Sequence, residues 1–181
     1  MLKEKLRIIK IDPEYIEYLR KFDSKVQFNK AESNKQNKPF VGVLFSINDR
    51  KYYVPISSAN KKTKLNKMYK KYCKSGREPI DIIFITDKNK KLLSALNLNN
   101  MIPVAGNSII NYDITKDKDA GLLIKEYKYC MKSKGKIRRR AIKIYNMINL
   151  HTNKNLEKRC CNFKLLEEKC KEYEELLLVK K

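Results

Sequence analysis

The chain has 181 residues, 42 Lys and Arg against 20 Asp and Glu, and a net charge of +22. A hydrophobic share of 42%, with 11 Tyr and 6 Phe, excludes a disordered polybasic tail and supplies the core of one folded domain spanning 1–181. With 5 Gly and 5 Pro a collagen-like sequence is excluded, and no apolar run approaches the roughly 20 residues that cross a bilayer, so no membrane partner is expected.

In chain order, residues 6–11 predict a strand, and Asp12-Pro13 supplies an N-cap and a proline for the first turn of a helix reaching about Asp23. The polar, lysine-rich run 24–37 reads as a loop or flap. Residues 40–47 and 52–56 form a hairpin around Asn48-Asp49-Arg50, and 81–86 and 91–95 form a second around 87–89. Short strands are expected at 101–104 and 108–112. Helices follow at about 119–134, 136–150 and 163–178, with Gly135 separating the first two. The fold class is α+β, β-rich over about 1–115 and helical over about 117–178, most simply a β-barrel-like unit wrapped by helices.

The charge is unevenly placed. Residues 51–75 hold eight lysines and no acid, interleaved with Tyr52, Tyr53, Tyr69 and Tyr72. Cations beside stackable rings suit single-stranded RNA, which makes Tyr53, Lys62, Lys64 and Lys67 candidate RNA contacts. Residues 125–143 form a second basic run, with Glu126 as its only acid, and add Arg138, Arg139 and Arg140.

The same composition narrows the chemistry. His151 is the only histidine, so cleavage by a pair of imidazoles is excluded; between helices, it reads as a surface or cap residue. The acids are scattered, with no HExxH, P-loop or acidic triad, so neither a metal nor another cofactor is expected. Cys73, Cys130, Cys160, Cys161 and Cys170 form no Cys-x-x-Cys pair and read as packing thiols of a cytoplasmic protein, a location consistent with an N-terminus lacking the apolar stretch of a secretory signal. What remains is cleavage of RNA by its own 2′-hydroxyl, which lysine and hydroxyl side chains can assist. Ser57-Ser58 and Lys61, at the expected end of a strand, are such a set. A non-catalytic, ribosome-associated RNA-binding protein is the alternative.

Five blocks in order carry a resemblance: Asp12-Pro13-Glu14-Tyr15-Ile16-Glu17-Tyr18-Leu19-Arg20-Lys21-Phe22-Asp23-Ser24-Lys25-Val26; Lys38-Pro39-Phe40-Val41-Gly42-Val43-Leu44; Lys51-Tyr52-Tyr53-Val54-Pro55-Ile56-Ser57-Ser58; Asn97-Leu98-Asn99-Asn100-Met101-Ile102-Pro103-Val104; and Cys161-Asn162-Phe163-Lys164-Leu165-Leu166-Glu167-Glu168-Lys169. Together they resemble the ToxN/AbiQ family, the toxins of type III toxin–antitoxin systems; length and basicity suggest its AbiQ branch of abortive-infection proteins. The resemblance implies a compact Kid/MazF-like antiparallel barrel extended by helices, and a metal-independent endoribonuclease acting on cellular or phage RNA. It also implies an RNA antitoxin, cut from tandem repeats into pseudoknots that stay bound and bridge several chains into a closed assembly. Site residues carried over are Tyr15, Lys38, Ser57 and Ser58. Lys61 matches the family's next lysine only if one residue is inserted, with Lys62 as the fallback. In this scheme Ser58 contacts the 2′-hydroxyl and helps its deprotonation, Lys61 lowers the cost of the developing anion, Ser57 and Tyr15 orient the phosphate, and Lys38 neutralises the phosphorane or the leaving oxygen.

Overall fold

A computed structural model of the chain describes residues 6–27, 40–48, 50–59 and 64–179. The order is β1 (Arg7–Ile11), α1 (Pro13–Arg20), β2 (Phe40–Ile47), β3 (Arg50–Ser58), α2 (Lys64–Ser75), β4 (Ile82–Thr86), β5 (Leu92–Asn97), β6 (Ile102–Pro103), β7 (Ile109–Ile110), α3 (Ala120–Lys132), α4 (Lys134–Asn149), α5 (Lys154–Glu157) and α6 (Phe163–Val179). The strands run β4-β5-β3-β2-β1-β7, with β6 also on β3, and every pairing is antiparallel.

This sheet is open, which corrects the expected barrel. Closure requires the first and last strands to pair, whereas β4 and β7 lie at opposite ends of the path. β7 is a two-residue strand held only on β1, too short to carry a seam. In place of a cylinder, β3 joins two sub-sheets: residues 50–55 pair with β2, while 56–58 pair with β5 alone among the described residues.

Local chemistry explains most element boundaries. Asp12 accepts the Glu14 N–H at 2.9 Å and Pro13 opens α1, whose Tyr15, Ile16 and Leu19 are buried. Gly42 sits where β2 crosses β3. A Cβ there would lie 2.2 Å from the Val54 carbonyl oxygen and 2.6 Å from the Tyr53 ring, so only glycine permits the approach. The division between α3 and α4 falls at Ser133; Gly135 instead occupies the first turn of α4, where N–H groups have no intrahelical acceptor to lose. His151, with φ 52, takes the left-handed position after α4 and donates its N–H to Ile148, as a helix-capping residue does.

The core lies between the sheet and α1, α4 and α6. Tyr52 and Tyr145 both donate to Glu167 on α6, at 2.6 and 3.0 Å, and Tyr145 stacks on Phe163. Cys130, Cys160, Cys161 and Cys170 are buried and unpaired, and burial raises the Cys160 thiol to about 12, so they pack as neutral groups. The sequence reading missed α2. Its Leu65, Met68, Tyr69 and Tyr72 follow helical spacing and pack on Ile82, Phe84, Leu92 and Ala95, a second apolar cluster on the sheet.

Candidate active site

Ser57 and Ser58 close β3 where that strand has left β2. Successive strand residues face opposite sides of a sheet, and the register shows which side each takes. Ser57 lies opposite Ala95, itself opposite Phe84, on the face that α2 covers. Ser58 lies opposite Ser94, itself opposite Ile85, on the face that joins the main core. The two hydroxyls therefore lie on opposite faces of the sheet. They flank the strand end, Ser58 exposed and Ser57 half-buried.

Around Ser57 the structure assembles a polar cluster that sequence reasoning missed. Asn97, the last residue of β5, donates from Nδ2 to Ser57 Oγ at 2.5 Å and to Gln27 Oε1 at 3.1 Å. Gln27 donates from Nε2 to the same Oγ at 3.3 Å. The segment carrying Gln27 is tied down nearby: Asn100 donates to the Lys25 carbonyl at 2.7 Å, and Asp23 accepts the Asn162 N–H at 2.7 Å. Behind it Asp81, buried, holds Arg159 at 2.7 Å, and this bond raises the guanidinium pKa. A polar residue ending β5 was the available signal for Asn97, but only the strand register reveals that it meets Ser57.

Two predicted contacts prove to be core residues. Tyr15 is 0% exposed and donates its hydroxyl to the Pro103 carbonyl at 2.9 Å, its ring against Tyr173. Burial holds its pKa far above the usual value. In this conformation the ring has no surface with which to orient a phosphate. Tyr53 is 1% exposed because β3 is covered on both faces, so it is not an RNA-stacking ring here. Its buried hydroxyl has no partner among the described residues. Lys38, Lys61 and Lys62 lie outside the described residues.

The remaining cations divide between two helices. On α2, Lys64, Lys67, Lys70, Lys71 and Lys74 are exposed, and the last four line an open hollow of about 450 Å³. On α4, Arg138 and Arg139 are exposed, but Arg140 is committed to the fold. It pairs with Glu78 at 3.0 Å and donates to the carbonyls of Pro79 and Ile82 at 2.9 and 3.2 Å. Three of its five N–H donors are thereby engaged by Glu78 and by carbonyls of β4 and the segment before it, which sets it apart from Arg138 and Arg139. Among the described residues, no three of His, Cys, Asp and Glu are grouped to hold a metal ion, and no helix is long and apolar enough to cross a membrane.

The fold and site define a basic α+β protein with an open antiparallel sheet, backed by helices and bearing a hydroxyl–amide cluster at one strand end. Within that class, the model of the toxin ToxN of type III toxin–antitoxin systems matches residues 7–171, and the chain belongs to this family. The endoribonuclease ToxN of Bacillus thuringiensis subsp. kurstaki is 34% identical over 175 residues, covering 91% of this chain and 82% of that protein. Two solved structures share the fold. One, from work on selective toxin inhibition by a non-coding RNA pseudoknot in type III systems, superposes with a TM-score of 0.75 at 32% identity, covering 95% of this chain and 99% of the other. The other is AbiQ, a lactococcal anti-phage endoribonuclease of a type III system, with a TM-score of 0.78, 27% identity and coverage of 95% and 99%.

Proposed function

We propose that this chain is the endoribonuclease toxin of a type III toxin–antitoxin system that aborts phage infection. The observation that carries the reading is the family match along 7–171, with relatives named as RNA-cleaving toxins. The chain acts in the cytoplasm on cellular or phage transcripts and on a repeat-derived precursor. The precursor's folded product stays on the basic surface as inhibitor and bridges several chains into a closed assembly. A large positive surplus suits such a partner, since every neutralised phosphate releases counterions.

Cleavage proceeds by transfer within the RNA. The 2′-oxygen bonds to the adjacent phosphorus, its proton leaves, the bond from phosphorus to the 5′-oxygen breaks, and that oxygen gains a proton. The products are a 2′,3′-cyclic phosphate and a 5′-hydroxyl, without water or metal. Ser58, exposed at the end of β3, contacts the 2′-hydroxyl. Lys61 follows it by three residues and Lys38 precedes β2 by two, so both cations are tethered to the strand ends that flank the site. They offset charge that develops on the phosphorane and the leaving oxygen. Tyr15, buried with its hydroxyl on the Pro103 carbonyl, acts as a packing residue in this reading and does not touch RNA.

The test is cleavage of a labelled transcript. Ser58→Ala should lower kcat by about 10²–10³ at unchanged RNA binding, a single 2′-deoxy substitution at the cut nucleotide should abolish cleavage, and chelator should leave it intact. Full activity on the deoxy substrate, or loss of activity in chelator, refutes this mechanism. Binding without any cleavage favours the ribosome-associated alternative.

A further inference from the structure

We infer that Asn97, assisted by Gln27, is a positioning residue that turns Ser57 into an obligate hydrogen-bond donor towards the RNA phosphate. A serine hydroxyl has one proton to give and two lone pairs with which to accept. Both lone pairs of Ser57 are engaged, one by Asn97 Nδ2 at 2.5 Å and one by Gln27 Nε2 at 3.3 Å. The second Asn97 N–H bonds Gln27 Oε1 at 3.1 Å, closing a ring of three hydrogen bonds that fixes both amides relative to each other. Only the Ser57 proton is left over. Ser57 therefore cannot serve as a base; it can only donate, and a donor fixed in place is worth most as a non-bridging oxygen gains charge in the transition state.

Two of the three groups, Ser57 and Asn97, sit on strands. Ser57 and Asn97 are diagonal neighbours on one face of adjacent strands, since Ser57 pairs with Ala95 two residues before Asn97. Gln27 arrives from a segment whose preceding residues are bonded to Asn100 and Asn162. Amides keep their charge state across the working pH range, so the positioning is independent of pH, unlike that of an imidazole or a carboxylate.

The inference rests on the endoribonuclease reading, and the experiment separates the two. Cleavage of a labelled single-stranded transcript is measured for the wild-type chain, Ser57→Ala, Asn97→Ala, the Ser57→Ala/Asn97→Ala pair and Asn97→Asp, with thermal unfolding of each. Asn97→Ala should lower kcat between about ten- and a hundredfold, as a misplaced group does, with KM nearly unchanged. The double variant should be no slower than Ser57→Ala, because Asn97 acts through that hydroxyl. Asn97→Asp, nearly isosteric, offers an acceptor that draws the Ser57 proton inward. It should be slower than Asn97→Ala at pH 7 and recover relative to it as pH falls towards the usual aspartate range near about 4. Wild-type kcat in Asn97→Ala, multiplicative losses in the double variant, or an Asn97→Asp variant with no relative recovery in acid would each overturn the proposal while leaving the enzyme reading intact. Wild-type activity in Ser57→Ala would remove it too, with Ser58 untouched. A wild-type chain that cuts no RNA ends both.

Discussion

The two basic helices carry similar charge in sequence but use it differently. α2 has no fully buried residue. It rests on the sheet through half-buried side chains, with Tyr72 stacked on Phe84 at 5.6 Å and Tyr69 bonded to the Lys90 carbonyl at 2.6 Å. Its lysines face outward. α4 buries Ile137, Ala141, Ile144 and Ile148, and turns Arg140 inward onto Glu78 and two carbonyls. A run of cations in sequence thus overstates the free charge of a helix whose other face is core, because a guanidinium near that face satisfies buried carbonyls first.

The sharpest way to break this comparison is Arg140→Ala. It should destabilise the fold by about 1–3 kcal/mol by leaving the Pro79 and Ile82 carbonyls without a donor, Glu78 keeping its ion pair with Lys136 at 2.8 Å; this is seen as a lowered denaturation midpoint, while the salt dependence of RNA binding stays put. A salt slope that falls as much as in Arg138→Ala would mean that Arg140 serves RNA after all. A smaller effect on stability is expected where the cations are free. Removing Lys67 and Lys71 together should leave the denaturation midpoint within the small range of surface substitutions. The slope of log affinity against log salt should flatten by about 1.4 if each lysine meets one phosphate of a single strand. The Arg138→Ala and Arg139→Ala pair is the matching measurement on α4. A flat response there with a full response on α2 would make α2 the principal RNA surface.

The legibility of the sequence followed the same division. Elements with a local signal were readable: Asp12-Pro13 opening α1, the Asp87 turn, and the helical spacing after 117 all stand where their chemistry puts them. Long-range facts were not. The run 52–56 reads as a strand, but nothing local shows that Tyr52 and Tyr53 are both buried, or that β3 changes partner at Ile56. The barrel expectation failed at that point, since closure depends on strand ends that no local pattern specifies. Ser57, Ser58 and Asn97 are each visible in the sequence as polar residues at strand ends. Their meeting depends on the β3–β5 register, which only the folded sheet supplies.

Glu126 carries the comparison one step further. In sequence it is the only acid of the 125–143 run and should dilute that run's charge. In the structure it is 2% exposed on α3, beside Ser94 on β5, so it contributes little to the field an RNA would meet. Burial raises its pKa, the nearby Asp119 adds to the rise, and the Ser94 hydroxyl opposes it. For an acid whose folded pKa lies above its unfolded value, the native state holds the proton longer, so stability falls as pH rises between the two values and is flat above them. Glu126→Gln removes that loss. The variant should unfold at a higher midpoint than the wild type at pH 7, and the gain should shrink to nothing below the ordinary glutamate range near about 4.3. RNA affinity should change less than in the variants of the exposed lysines and arginines above, because the charge removed faces the core. An affinity gain as large as the loss in Arg138→Ala would show instead that this carboxylate is felt at the surface, and the contrast between outward and inward charge would not hold for α3.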